Sequence, residues 1–271
     1  SNTNADASGS FGEIELYNGV TSVTTPATWT GNIADLTGLK AYWKFDEASG
    51  DIINQATSVG STDSLGSAAD IQISGATYGV TGKIGDALSF DGTNDTGVVG
   101  SSLSQFNFMH NTSGLFSVNF WVKRNTLAQP PVIFSTGSGS TNNIGVWFNF
   151  VTNNNIDFNI VRGVGGTSVI NNAGTVNIAD TTTWHMVTFT YDYSLGTLNL
   201  KSYLDGTAST TLNKTANAAS NSNATRAPNM FSDANFGFGA NNFDEFSIWN
   251  RVLTPAEITT IYNSGRGKIV Y

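Results

Sequence analysis

The sequence predicts an all-β protein: an antiparallel sandwich or barrel with one short C-terminal helix. Three observations predict it. Charged residues make up only 12% of the 271 residues, about half the usual share of roughly 25%, with Gly, Asn, Ser and Thr filling the gap. Solvent-facing helices draw on Lys, Glu and Arg, so this composition favours strands and turns. Apolar residues alternate with period two through most of the chain, broken by turn signals about every 8–12 residues. Only one stretch, close to the C-terminus, carries helical spacing and helix-start residues.

The elements follow in order. "SNTNADASGS" is a polar terminus, and "FGEIELYNGVTSVTT" alternates Ile14 and Leu16 with polar residues before Asn18-Gly19, the favoured type I′ turn pair. Residues 27–37 form a linker, so 1–37 is expected to be a tail, hairpin and linker ahead of a domain over 38–271. The hairpin reads as a small local unit or as a strand that pairs with a neighbouring subunit. In "GLKAYWKFDEASG", Leu39, Ala41, Trp43 and Phe45 alternate with Lys40, Tyr42, Lys44 and Asp46. Residues 51–80 are polar, with a weak strand signal at 71–73. "GDALSFDGTND" places Leu88 and Phe90 on one strand face and Ala87, Ser89 and Asp91 on the other.

The middle is strongly β. Phe116, Val118, Phe120 and Val122 share one face of "LFSVNFWVKR". "IGVWFNFV" and "IDFNIVRG" flank a turn and predict a hairpin, as do "WHMVTFTYD" and "TLNLKSYLDG". Residues 207–234 read as a long loop with one more strand near 209–213. Phe246 and Ile248 face one side of a last strand. "TPAE" then starts a helix: Thr254 as N-cap, Pro255 in the first position and Glu257 completing a capping box. Ile258, Ile261 and Tyr262 give a narrow apolar stripe, suited to plugging the open end or edge of a sandwich, and Gly265 suits a left-handed helix end.

Composition also excludes functions. A net charge of −8, with only 12 Lys plus Arg, argues against nucleic acid and anionic membranes as partners. The absence of cysteine removes disulfides, thiolate metal sites and cysteine catalysis. No apolar run is long enough to span a bilayer. An exported protein, at a cell or virion surface, is expected.

The ordered motifs "GLKAYWKFDEASG", "GKIGDALSFDGTND", "FSVNFWVKR", "TTTWHMVTFTYD", "LKSYLDGT" and "NNFDEFSIWNRVLTPAEITTIYNSG" resemble the laminin-G-like, concanavalin A-like jelly-roll domains of bacterial, archaeal and phage surface proteins. The resemblance spans about residues 38–265. It implies an antiparallel two-sheet jelly-roll sandwich with neighbouring first and last strands. Glycoside hydrolases of the same superfamily set paired carboxylates on one strand. None of the five Glu (Glu13, Glu15, Glu47, Glu245, Glu257) lies in such a pattern, so no catalytic residue and no enzyme activity are expected. His110 and His185 read as structural.

The resemblance further implies a Ca²⁺ near the junction of the first and last strands. Its ligands would come from Glu47, Asp91 and Asp244, with Asp46 as an alternative to Glu47. Ca²⁺ takes six to eight oxygens, so backbone carbonyls would complete the shell. Trp43, Trp121 and Trp184 are expected in the core, and Trp147 is not assigned. The implied function is a non-catalytic surface module for adhesion or carbohydrate recognition, binding a glycan or surface protein. The alternative is a structural subunit of a filament, fibre or capsid decoration that binds copies of itself.

Overall fold

A computed structural model describes residues 35–127, 132–137, 144–151, 154–163, 167–213, 220–233 and 237–267. Contacts divide the chain into two compact units, Ser1–Asn32 and Ile33–Tyr271. The expected Asn18-Gly19 hairpin lies outside the described residues. In chain order the strands are β1 (Leu39–Trp43), β2 (Ile71–Ser74), β3 (Thr77–Thr81), β4 (Asp86–Ser89), β5 (Thr96–Val99), β6 (Leu115–Arg124), β7 (Val132–Ser135), β8 (Gly145–Phe150) and β9 (Asn155–Arg162). They continue as β10 (Thr167–Asn177), β11 (His185–Asp192), β12 (Leu200–Leu204), β13 (Thr207–Leu212), β14 (Asn229–Met230), β15 (Ser232–Asp233), β16 (Gly237–Phe238) and β17 (Asn241–Trp249). The helix α1 (Pro255–Tyr262) follows.

These strands build two antiparallel sheets. The first runs β13-β12-β11-β6-β17-β4-β3, with β1 also on β17; the second runs β10-β9-β8-β7-β14-β5-β2. β15 and β16 pair separately. The first and last strands are neighbours, as a jelly roll requires. Both expected hairpins form, with Phe150 opposite Ile156 and Tyr191 opposite Leu200.

Period-two alternation sends Phe116, Val118, Phe120 and Val122 of β6 into the space between the sheets, with Phe246 and Ile248 of β17. Rings fill that space by stacking. Phe148 lies on Phe158 at 5.3 Å and 7°, and Phe120 lies on Phe246 at 5.0 Å and 10°. Such offset pairs add about 0.5–1.5 kcal/mol each beyond their buried area.

A second apolar cluster covers the opposite face of the first sheet. It joins Leu39, Tyr42, Trp121, Met186 and Trp249 to Leu253, Ile258 and Ile261 at α1. The helix therefore lies over a sheet face rather than plugging an end or edge. Tyr42, on the predicted polar face of its strand, is buried because that face is covered too. The capping box forms as predicted: the Glu257 N–H donates to Thr254 Oγ1 at 3.2 Å, and the Thr254 N–H donates to Glu257 Oε2 at 2.8 Å. The helix ends at Asn263, whose φ of 49° supplies the left-handed cap two residues before Gly265. An Asn side chain tolerates that conformation better than most. The strands at 77–81 and 96–99 carry too few apolar residues to stand out in the sequence; their neighbours in the sheets set them.

Candidate functional site

β1 and β4 lie one after the other along the same side of β17. β1 pairs with residues 246–249 and β4 with residues 242–243, so their junction falls at Asp244-Glu245. On the other side the register with β6 shifts between Asp244 and Ser247, and Glu245 has a φ of 51°. This is a bulge, a device that re-aims side chains within a strand. Both acids are at most 1% exposed.

The turn "GKIGD" wraps the bulge. Asp244 Oδ2 accepts the N–H groups of Lys83 at 2.7 Å and Ile84 at 2.8 Å, while Asp46 Oδ1 accepts the Asp86 N–H at 2.9 Å. Gly82 permits this approach: a Cβ there would stand 2.7 Å from Asp244 Oδ2 and 2.5 Å from the Asp86 carbonyl oxygen. Tyr42 donates its hydroxyl to Glu245 Oε2. Asp244 Oδ1 and Glu245 Oε1 are buried without a hydrogen-bond partner. Burial pushes Asp244 up to about 8, with the Asp46 charge adding to it. Burial, then the Asp244 charge, push Glu245 well above the usual carboxylate range. Displaced acids of this kind mark catalytic candidates in an open cleft. Here both side chains are sealed from solvent, where a glycosidic bond cannot pass between them.

Of the predicted calcium ligands, Asp244 meets Asp46 through the "GKIGD" turn. Glu47 and Asp91 are held elsewhere. Glu47 Oε1 accepts the Ile53 N–H at 3.1 Å, and its other oxygen is buried without a partner. Burial, then the charges of Asp46 and Asp70, raise its pKa against two backbone hydrogen bonds. Asp91 Oδ1 accepts the Thr93 N–H at 2.7 Å in a turn through Gly92, whose φ is 80°. Among the described residues, no group of three or more His, Asp or Glu side chains is placed to hold a metal ion.

The histidines are structural in position. His185 Nδ1 meets Asp205 Oδ2 at 2.8 Å and Nε2 meets Asp180 Oδ2 at 2.7 Å. The hydrogen bonds from these two carboxylates raise His185 to about 9 despite its partial burial, and Asp180 is held well below the usual range. With both ring nitrogens engaged, His185 is neither a free base nor a free ligand. His110 is buried against the Ser222 carbonyl oxygen at 2.9 Å, and burial lowers its pKa. None of the described tryptophans is exposed, and Trp147, unassigned from sequence, is buried.

An open groove of about 360 Å³ lies beside β2 and the loop after β5. Asp51, Asp70, Gln72, Ser101, Ser102 and Gln105 line it. Asp70 is fixed by accepting the Asn54 N–H at 2.8 Å, and Gln105 by donating Nε2 to the Val99 carbonyl oxygen at 3.1 Å. Gly100, with φ of 58°, lets the loop close here: a Cβ would fall 2.1 Å from the Ala68 carbonyl oxygen. Sequence reading missed this groove because its residues sit in the polar 51–80 stretch and beyond β5. Nothing in their spacing brings them together; the β2–β5 pairing does.

The family model described as the concanavalin A-like lectin/glucanases superfamily matches residues 91–259, more than half of the chain. The chain belongs to the concanavalin A-like lectin/glucanases superfamily. No curated protein sequence matches it. Solved structures share the fold of this superfamily member. A Trypanosoma rangeli sialidase in complex with sialic acid aligns with a TM-score of 0.58 and 13% identity, covering 84% of this chain and 33% of the sialidase. A botulinum neurotoxin type C structure, whose cell entry depends on two ganglioside molecules, aligns at 0.54 and 13%, covering 84% and 51%. A botulinum neurotoxin serotype D/C binding domain aligns at 0.54 and 13%, covering 84% and 52%. The chain thus spans about a third of the sialidase and half of each toxin chain.

Proposed function

We propose that this protein is a non-catalytic module for carbohydrate recognition or adhesion at a cell or virion surface. One observation carries the reading: a lectin-type sandwich presents an open groove lined by side-chain carboxylates, amides and hydroxyls. These are the groups that read sugar hydroxyls. The sialic acid bound by the sialidase and the gangliosides on which the type C neurotoxin depends support the ligand class. The sealed Asp244-Glu245 pair supports the absence of glycoside hydrolysis. A glycan array probed with the full chain tests the reading, with specific binding and no release of reducing sugar as the expected result. Turnover of a polysaccharide overturns it. Polymerisation into ordered fibres without glycan binding transfers the chain to a structural role, assembled from copies of itself.

Calcium belongs to this proposal as a separate element. Glu47 follows β1, Asp91 follows β4 and Asp244 sits in the β17 bulge, so an ion at any of them would take most of its oxygens from backbone carbonyls and water. The orphaned oxygens of Glu47 and Asp244 are the groups such an ion would satisfy. Melting in millimolar Ca²⁺ is expected a few degrees above melting in EDTA. Equal midpoints with no metal by elemental analysis remove calcium from the reading.

A further inference from the structure

We propose that the groove beside β2 takes a neutral sugar residue and rejects sialic acid; the inference rests on the glycan-recognition reading above. The argument is a donor and acceptor inventory. Asp51 and Asp70 offer only acceptor oxygens when ionised. Gln105 spends an amide N–H on the Val99 carbonyl oxygen, which sets its orientation, and its Oε1 is buried. Ser101, Ser102 and Gln72 supply groups of both kinds. The lining is therefore rich in acceptors and holds no Lys, Arg or His.

A ligand that suits such a wall must donate. Sugar hydroxyls donate and accept, so each can meet an aspartate carboxylate or a serine oxygen. The carboxylate of a sialic acid has no proton to give and would face two acidic side chains with no cation to offset them. Like charges set against each other across an interface disfavour binding. The groove volume of about 360 Å³ is at the small end of ligand pockets, sized for a short saccharide rather than an extended chain. The sialidase and the toxin share the fold at 13% identity, so their ligands do not dictate this groove's charge.

The test uses the full chain on an array of matched neutral and sialylated oligosaccharides, read in parallel in EDTA and in millimolar Ca²⁺. Neutral members are then titrated against Asp51→Ala and Gln72→Trp. Both positions are exposed, and unchanged melting midpoints verify folding. Binding of neutral glycans, weakened about tenfold or more in both variants, is expected, because the first removes a charged hydrogen-bond acceptor and the second fills the groove. Ser74→Ala, exposed on β2 outside the groove lining, is expected to bind as the parent does. Wild-type binding that survives both groove substitutions overturns the site and leaves the general reading intact. Preference for sialylated members, or binding abolished by EDTA, overturns the acceptor argument. No binding to any glycan removes both this inference and the reading beneath it.

Discussion

Two acidic sites in this molecule have opposite electrostatics. At Asp180-His185-Asp205 a cationic imidazolium lies between two carboxylates, the His pKa rises to about 9, and Asp180 falls well below its ordinary value. At Asp244-Glu245 two carboxyls share a strand bulge with no cation in hydrogen-bond contact among the described residues. Burial drives Asp244 up to about 8 and Glu245 well above the usual carboxylate range. The side-chain chemistry is nearly the same. The partner decides whether the folded state prefers charge, as at the histidine, or a bound proton, as at the bulge. Desolvation disfavours any charge, and only an opposite charge or several donors reverse that.

The largest expected effect supplies an apolar baseline. Phe148 stacks on Phe120, Phe134 and Phe158, so Phe148→Ala is expected to cost about 4 kcal/mol, with no dependence on pH. Urea unfolding at several pH values checks both parts. A pH-dependent loss would mean that the core feels the acidic sites.

The bulge comes next. Folded Asp244 keeps its proton to about pH 8, whereas an unperturbed aspartate loses it at about 3.9. The folded state then binds more protons between these values, so stability falls as pH rises from about 4 to 8 and levels above. Asp244→Asn keeps an acceptor for the Lys83 and Ile84 N–H groups and carries no charge. It is expected to flatten that slope and to exceed the parent by on the order of 3 kcal/mol near neutral pH. Thermal melts across this range decide it. An unchanged slope would place the uncompensated acid elsewhere.

His185 gives the counterpart. Its folded pKa is raised, so its contribution is complete below 6.5 and is lost as pH rises through about 9. His185→Gln is expected to cost on the order of 2 kcal/mol near pH 6, allowing for solvent screening at the partly exposed Asp180, and little near pH 10. An equal loss at both pH values would reduce the clamp to packing. The smallest effect is a control: Thr254→Ala removes the helix cap and is expected to cost about 1 kcal/mol, distant from both titrations.

Sequence alone determined the elements whose signals are local. Alternation in 115–124 specified which side chains of β6 enter the core, because strand geometry sends neighbours to opposite faces. Thr254, Pro255 and Glu257 specified the helix start, because a capping box closes within one turn. The ordered motifs pointed to the family and to adjacent first and last strands. Tertiary structure decided whatever depends on residues far apart in the chain. Tyr42 is buried because α1 and the surrounding side chains cover its face of the sheet. Asp46 meets Asp244, while Glu47 turns to Ile53, because the 82–86 turn spans the gap between β1 and β4. The groove exists only once β2 and β5 pair and Gly100 lets the backbone close on Ala68. Burial, and with it the raised pKa values of Asp244, Glu245 and Glu47 and the lowered one of His110, is a property of the assembled sheets: only they remove water from these groups, and no spacing along the chain records that loss.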